Sequence, residues 1–429
     1  MSDAFDVIIV GAGIAGSIAG YLLAKEGLDV LVIERGNFAG SKNMTGGRLY
    51  GHSLEKIIPD FAEEAPVERK ITQEKISLMT EDSAVTIDFN AEVLGRHPQA
   101  SYSVLRSTFD QWLAKKAEDA GAQIIPGIRV DNLIVKDGKV SGVIAGEDQI
   151  ESKIVILADG VNSLLAQKMG MRDELKPDQV AVGVKEIIEL PQNVINERFN
   201  LKNAQEGAAW LFAGMPSAGK VGGGFLYTNK ASLSLGVVCA LSGLDDSPVP
   251  IPQMLENFKE HRLIAPLIKD GKAVEYSAHL VPEGGLNMIP KLVAAGVLIV
   301  GDAAGFCINI GYAVRGMDLA VASAEAAAQA VLQAMKQQDY SESALSEYVR
   351  LLENSFVMKD LKLYSKFPHF MENSRIFNDY PQLVSNIMTR MFVVNGTENL
   401  ALRKKIMQEV KKVGIMHVIK DGIKGAYAL

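Results

Sequence analysis

The stretch from Phe5 to Arg35, FDVIIVGAGIAGSIAGYLLAKEGLDVLVIER, decides the fold. An apolar strand (Val7, Ile8, Ile9, Val10) runs into Gly11, Gly13 and Gly16. A helix follows, and a second apolar strand, Val30 to Ile33, ends at Glu34. Gly11 permits the tight strand-to-helix turn, Gly13 lets backbone come close to a pyrophosphate, and Gly16 lets the helix pack on the sheet. The free N–H groups and the dipole at the start of the helix both favour phosphate there. Glu34 lies about 20 residues beyond the glycines, where a carboxylate accepts from a ribose hydroxyl. Short glycine patterns also arise in ordinary turns; here strand, glycines, helix, strand and acid occur in order within one βαβ unit. On its own this unit suits NAD as well as any other dinucleotide.

Two further strands end in the same way. Ile154 to Ser163, IVILADGVNS, passes from a buried strand into Ala158, Asp159 and Gly160. Val297 to Gly305, VLIVGDAAG, passes into Gly301 and Asp302. In an open α/β sheet, ligands bind off the carboxyl ends of the strands. Either Asp alone is a plausible turn residue, but with the first unit they predict one extended cofactor held at three points.

At 429 residues the chain exceeds what one core serves, so two domains and an appendage are expected. With 48% hydrophobic and 22% charged residues it reads as an ordinary globular protein. The opening MSDAFD leads straight into a core strand, which predicts no leader peptide and a cytoplasmic location. No apolar run approaches the ~20 residues of a spanning helix. Cys239 and Cys307 are too few for an iron–sulfur cluster or a four-cysteine zinc site, so no metal is expected and any cluster belongs to a partner. The net charge of -7 excludes a general nucleic-acid binder.

Between the fingerprints, Arg35 to Tyr50 is a glycine-punctuated loop with Lys42 and Arg48, either a solvated connection or a loop along the cofactor. Ile71 to Asn90 alternates as strands do. Tyr102 to Gly121 turns helical, with Ser107 as the expected cap and Arg106 just before it. Arg106 either reaches a cofactor phosphate or ribityl oxygen or forms a surface ion pair. Strands are expected over 123–125, 130–135 and 140–145, the last two joined by the hairpin turn Lys136 to Lys139. Val180 to Leu280 is rich in strands, interrupted by a helix over 253–268, and Gly316 to Met335 is a strong helix former. The expected division is a discontinuous nucleotide domain (1–75, 101–179 and 281–340), an inserted, mainly antiparallel domain (76–100 and 180–280) and a helical region (341–429). Residues 401–429 hold seven Lys or Arg and two acids. Apolar Ile406, Met407, Val410, Val413, Ile415 and Met416 are interleaved with the lysines. This tail either packs its apolar face on the body or docks an acidic protein or an anionic membrane. His279 reads as a core histidine and Cys307 as a small buried hydrophobe, and neither is given a catalytic role.

The three fingerprints, GAGIAG with Glu34, ADG at 158–160 and GDAAG at 301–305, resemble those of FAD enzymes with the p-hydroxybenzoate hydroxylase type of fold. GSKNMTGGRLYGHSLE, SYSVLRSTFDQWL, GGGFLYTN, EYSAHLVPEGG and GDAAGFCINIGYAVRGMDLA are similar to the FixC branch (FixC and YdiS-like flavoproteins) of the electron-transfer flavoprotein:quinone oxidoreductases. The resemblance implies an α/β FAD-binding Rossmann-like domain, a non-covalent FAD, and an electron-transfer flavoprotein as donor. A ferredoxin-like iron–sulfur protein or a quinone would be the acceptor, with peripheral contact at the inner face of the membrane. It places Gly11, Gly13 and Gly16 on the pyrophosphate, with Ala15 beside them, and Glu34 with Arg35 at the ribose. Arg106, Ala158, Asp159 and Gly160 would line the middle of the cofactor, and Gly301 with Asp302 the ribityl chain. Gly311, Arg315 and Gly316 fall near the pyrimidine end, and Arg48 and Val130 are the remaining contacts. The larger quinone oxidoreductases carry four cluster cysteines that this chain lacks. A flavin monooxygenase or a reductase of isoprenoid double bonds is the alternative on the same fold.

Overall fold

A computed structural model of the chain describes residues 4–43, 46–245 and 247–429. Met1 to Asp3 of the opening segment, and Met44 and Thr45 of the loop after Glu34, lie outside the described residues, as does Asp246.

Phe5–Val10 lies between Asp148–Leu157 and Val30–Glu34, parallel to both; Val297–Ile299 and Gln123–Pro126 extend the parallel row on either side. Residues 7–10, 30–33 and 154–157 are all buried. A parallel sheet covered on both faces demands such unbroken apolar strands. The fingerprint helix Ile14–Lys25 packs against both Arg106–Asp119 and the long helix Met317–Gln337. Gly20 permits that approach, since a Cβ there would sit 3.2 Å from Val32 Cγ2. The hairpin Asn132–Lys136 and Lys139–Ala145 turns through Asp137 and Gly138, both at positive φ, as a primed turn requires. Its first strand begins at Asn132, leaving Val130 in the loop before it.

Two helix expectations are corrected. Arg106–Asp119 begins at Arg106, with Leu105 as its cap residue and no side-chain cap bond, so Ser107 lies inside the first turn. The expected helix 253–268 is two helices, Ile251–Glu260 and Ala265–Ile268. His261 is extended between them (ψ 137°), which ends the first helix, and Pro266 falls in the first turn of the second, where a missing N–H costs nothing.

The second sheet runs in the order Lys272–Pro282, Val180–Glu189, Ser232–Ala240, Gly222–Thr228, Glu206–Gly214, Val67–Met79, Ser101–Leu105, Gly46–Tyr50, with Ala84–Asn90 on Val67–Met79. Only the contact between Glu206–Gly214 and Val67–Met79 is parallel. The sheet is wider than the expected insertion. Gly46–Tyr50, Ser101–Leu105 and the start of Val67–Met79, assigned by sequence to the nucleotide part, are its strands. It is one continuous plate that reaches the nucleotide fold at its Gly46–Tyr50 edge.

Arg69 holds this plate together. Its guanidinium is buried and donates to the carbonyls of Asn229 (2.6 Å), Asn203 (3.1 Å), Glu206 (3.0 Å) and Lys230 (3.2 Å) and to Asn196 Oδ1 (2.7 Å). Burial pulls its pKa down to about 10, opposed by Glu68. Arg69→Met removes the donors and leaves the acceptors stranded. It should lower stability by about 3–5 kcal/mol, read as a drop in the denaturant midpoint; an unchanged midpoint would show the acceptors rehydrated.

The C-terminal helices pack the basic tail on the body through part of its apolar face and through its acids. The residues most buried on Leu402–Val413 and Ile415–Ala428 include the tail's two acids. Glu409 pairs with Arg390 (2.6 Å) and Lys412 (2.7 Å), and Asp421 with Arg375 (2.6 Å) and Tyr380 (2.5 Å). Ile406, Val410 and Val413 are half-buried, while Met407, Ile415 and Met416 stay exposed.

Candidate cofactor site

The three strand ends lie side by side. Val10 pairs with Leu157, and Leu157 with Ile299. Gly11 N donates to Ile33 O (2.8 Å), Ala158 N to Val10 O (2.9 Å) and Val300 N to Leu157 O (2.9 Å), so the three fingerprints leave the sheet at one level. Their glycines differ in what they permit. Gly11 is at φ 103°, and a Cβ there would lie 2.4 Å from Ala158 O; at Gly16 it would lie 1.9 Å from Gly11 O. Both are needed by the fold itself. At Gly13 a Cβ would meet only Arg106 Nη2 at 4.0 Å, and at Gly160 and Gly316 nothing within 4 Å. Those three face open space.

That space is a cavity of about 570 Å³. It runs from Gly13 and Ala15 past Arg106, Ala158, Gly160 and Asp302 to Gly311, Arg315 and Gly316. Beyond the glycine row, Glu34 closes the first βαβ unit. Its Oε2 accepts from Ala12 N (2.9 Å) and its Oε1 from Gly36 N (2.6 Å). Ile128 N donates to Glu34 O (3.0 Å) and Gly127 N to Gly36 O (2.8 Å), which brings the Val130 segment alongside. Arg35 is exposed at this end.

Arg106 is no surface ion pair. It forks onto buried Asp110 with two bonds of 2.7 Å, and its Nη2 turns toward Gly13. A cation fixed this way meets a pyrophosphate without first losing side-chain entropy. Asp302 stands in the cavity wall with its carboxyl raised by burial, opposed by Arg106 and Lys185. Lys185, from Val180–Glu189, was not foreseen. It is pulled down to about 8 by burial and Arg106, against Glu275 and Asp302. Period-two alternation along that strand was its only signal. His279 is likewise pulled down to about 4 by burial and by Lys185, Arg106 and Arg35, so it is neutral.

Asp159 lies between two residues of the cavity wall with its carboxylate engaged. Ala158 and Gly160 line the cavity, but the Asp159 carboxylate accepts from Ser163 Oγ (2.8 Å); burial raises it to about 6, with the Ser163 bond and Arg172 opposing. Two arginines lie in the wall with their forks engaged. Arg48 pairs with Glu74 and donates to Ser101 Oγ, and Arg315 pairs with Asp318 and Asp360. Burial pushes the Cys307 thiol well up, which disfavours a reactive thiolate. The N-terminal end of Met317–Gln337 faces the cavity through Gly316, Met317 and Ala320. Its dipole, roughly half a positive charge, favours negative charge there.

Past this point the cavity is apolar. Ile76, Leu78, Leu211, Phe212 and Val238 come from the second sheet. Phe370, Met371, Ile376, Phe377 and Leu429 come from the C-terminal region.

A family model of the FAD binding domain matches residues 4–349, and one of the ETF-QO/FixC family C-terminal domain matches residues 367–429. The chain is 58% identical to the probable electron transfer flavoprotein-quinone oxidoreductase YdiS of Escherichia coli strain K12, over 100% of this chain and 99% of that one. It is also 58% identical, with the same coverage, to Protein FixC of that strain. A solved geranylgeranyl bacteriochlorophyll reductase-like protein from Thermoplasma acidophilum has the same fold, with a TM-score of 0.73 at 21% identity over 95% of this chain and 96% of that one.

The glycines separate cofactor binding from folding. Gly13→Ala should fold with unchanged apoprotein stability yet hold FAD at least ~tenfold more weakly, about 1.4 kcal/mol. Gly16→Ala should instead lower the melting temperature of the apoprotein. Fluorescence titration and calorimetry on the two variants check this; equal behaviour would contradict it.

Proposed function

The chain belongs to the ETF-QO/FixC family of FAD-binding oxidoreductases, and from that premise we propose that its FAD is reduced by an electron-transfer flavoprotein and reoxidised by a ferredoxin-like iron–sulfur protein, a quinone or both. Bound flavin accepts electrons in pairs and releases them singly, which is the chemistry a relay needs. The chain has to hold it, tune it and control access. Gly13, Arg106 and the start of the fingerprint helix would hold the pyrophosphate, Glu34 the adenosine ribose and Asp302 the ribityl chain. Lys185 and the N-terminal end of Met317–Gln337 would bias the flavin toward carrying extra electron density.

One observation carries the reading. The cavity continues past the glycine row into an apolar chamber whose far wall is the same C-terminal region that the ETF-QO/FixC model matches. A flat, apolar acceptor such as a quinone suits such a chamber. An isoprenoid double bond suits it too, and a reductase of that substrate is the second reading. The division of labour proposed is a nucleotide fold for the cofactor, the inserted sheet as roof and the C-terminal region as the door.

The surface supports a docking role. Phe392, Val394, Met416 and Tyr427 are each more than two-thirds exposed, and Lys404 and Lys411 stand in solvent nearby in the chain. Apolar side chains flanked by lysines suit peripheral contact with an anionic membrane, and the lysines suit an acidic iron–sulfur partner. Lys405 and Lys412 bond Arg390 O and Glu409, so they serve the fold as well.

Anaerobic stopped-flow mixing tests the donor. A cognate electron-transfer flavoprotein should reduce the flavin rapidly and NADH slowly; rapid, saturable reduction by a nicotinamide would overturn the relay. Reversing the two exposed charges (Lys404→Glu with Lys411→Glu) should weaken the iron–sulfur partner and flatten the salt dependence of its binding. Unchanged affinity would remove the tail from that interface.

A further inference from the structure

We propose that Glu283 passes protons between solvent and the reacting end of the flavin site, by way of a small cavity behind it. The proposal deepens the redox reading and rests on it only in that flavin reduction takes up a proton whichever donor supplies the electrons. Glu283 follows the strand Lys272–Pro282, and its backbone N–H is fixed on Gln179 O (2.8 Å). Both carboxyl oxygens accept from Asn309 Nδ2, at 3.3 and 3.2 Å. Asn309 Oδ1 in turn accepts from Gly311 N (3.1 Å). The carboxyl is therefore tied to the Ile308–Asn309 and Val314–Arg315 hairpin, whose loop lines the main cavity at the expected pyrimidine end.

Glu283 lines two cavities at once. One is the cofactor cavity; the other holds about 20 Å³ and is bounded by Glu283, Gly285, Cys307, Asn309, Leu361, Tyr364 and their neighbours. That is room for one water, with the carboxyl, the Asn309 amide and the Tyr364 ring in its wall. Tyr364 lies beside Tyr312, and Tyr312 is 49% exposed, so polar side chains are spaced between solvent and the small cavity that the carboxyl lines. The charged or titratable groups around Glu283 are the Cys307 thiol, with Asp302 and Asp318 beyond it, and the two tyrosines. Among the described residues no arginine or lysine is paired with it. Burial accordingly raises its pKa to about 7, against the Asn309 bond. An acid poised there exchanges its proton at neutral pH with little loss either way.

Bound FAD would take up one proton with each electron pair that the donor supplies. The Glu283 carboxyl would give that proton and be reprotonated from solvent past Tyr364 and Tyr312, and it would accept the proton again when the electrons leave.

The test uses the FAD-loaded protein reduced by dithionite, which needs no protein partner, so its outcome is independent of the identity of the donor. Wild type should show a reduction rate that falls through an inflection near pH 7 and a carboxylic C=O band that bleaches transiently in time-resolved infrared spectra recorded during reduction. Glu283→Gln should keep its FAD affinity, lose both features and reduce at least ~tenfold more slowly; Glu283→Asp should recover the inflection. Absence of the band from wild type would overturn the proposal even if no variant folds. A Glu283→Gln protein with wild-type rate and pH profile would overturn it too.

Discussion

Everything at this site depends on three parallel strands ending at the same height. Val10, Leu157 and Ile299 are neighbours in register, and the backbone bonds from Gly11, Ala158 and Val300 carry that alignment one residue beyond the strands. Parallel pairing fixes it. A slip of one residue would carry the three glycine turns out of line with one another. The helices then settle on a sheet they cannot shift, and Gly16 and Gly20 set how close the first of them comes. Gly13 and Gly160 are left facing the cavity.

Once the first sheet is fixed, the second has one place to stand. Its Gly46–Tyr50 edge follows directly from the loop after Glu34, and Lys272–Pro282 delivers the chain back toward Val297–Ile299. The plate thus covers the cavity from above, with Lys185 and His279 on strands that face it. Arg69 braces the far part of the plate, where the strands would otherwise meet through irregular turns. The C-terminal region closes the remaining side, held by Glu409 and Asp421, with Lys405 and Lys412 adding bonds to Arg390 O and Glu409.

The three fingerprints were legible because each is local: strand, glycine and acid fall within a few residues, and their chemistry is set by backbone conformation. The width of the second sheet was not. Gly46–Tyr50 and Ser101–Leu105 pair with each other across more than 50 residues, and a single sequence carries no signal for such pairing. The same limit hid the partner of Arg48 and the setting of Arg106. Folding brings Glu74 to Arg48 from 26 residues away; Asp110 is only four residues from Arg106 on the expected helix, and what the sequence does not show there is that the pair is drawn in from the surface. The Ser107 cap failed for the opposite reason: it has a good local pattern, and the helix start at Arg106 decided otherwise. Glu283 follows a proline and precedes two glycines, which in sequence is simply a turn.

We propose that one FAD lies across all three strand ends, with its adenosine at Glu34 and its reacting ring near Asn309 to Gly316. Amide hydrogen exchange of the protein with and without FAD tests this placement. Slowed exchange is expected at three separate segments together, 11–17, 157–161 and 301–317. Protection confined to the first segment would contradict it, since the site would then be that of a shorter nucleotide.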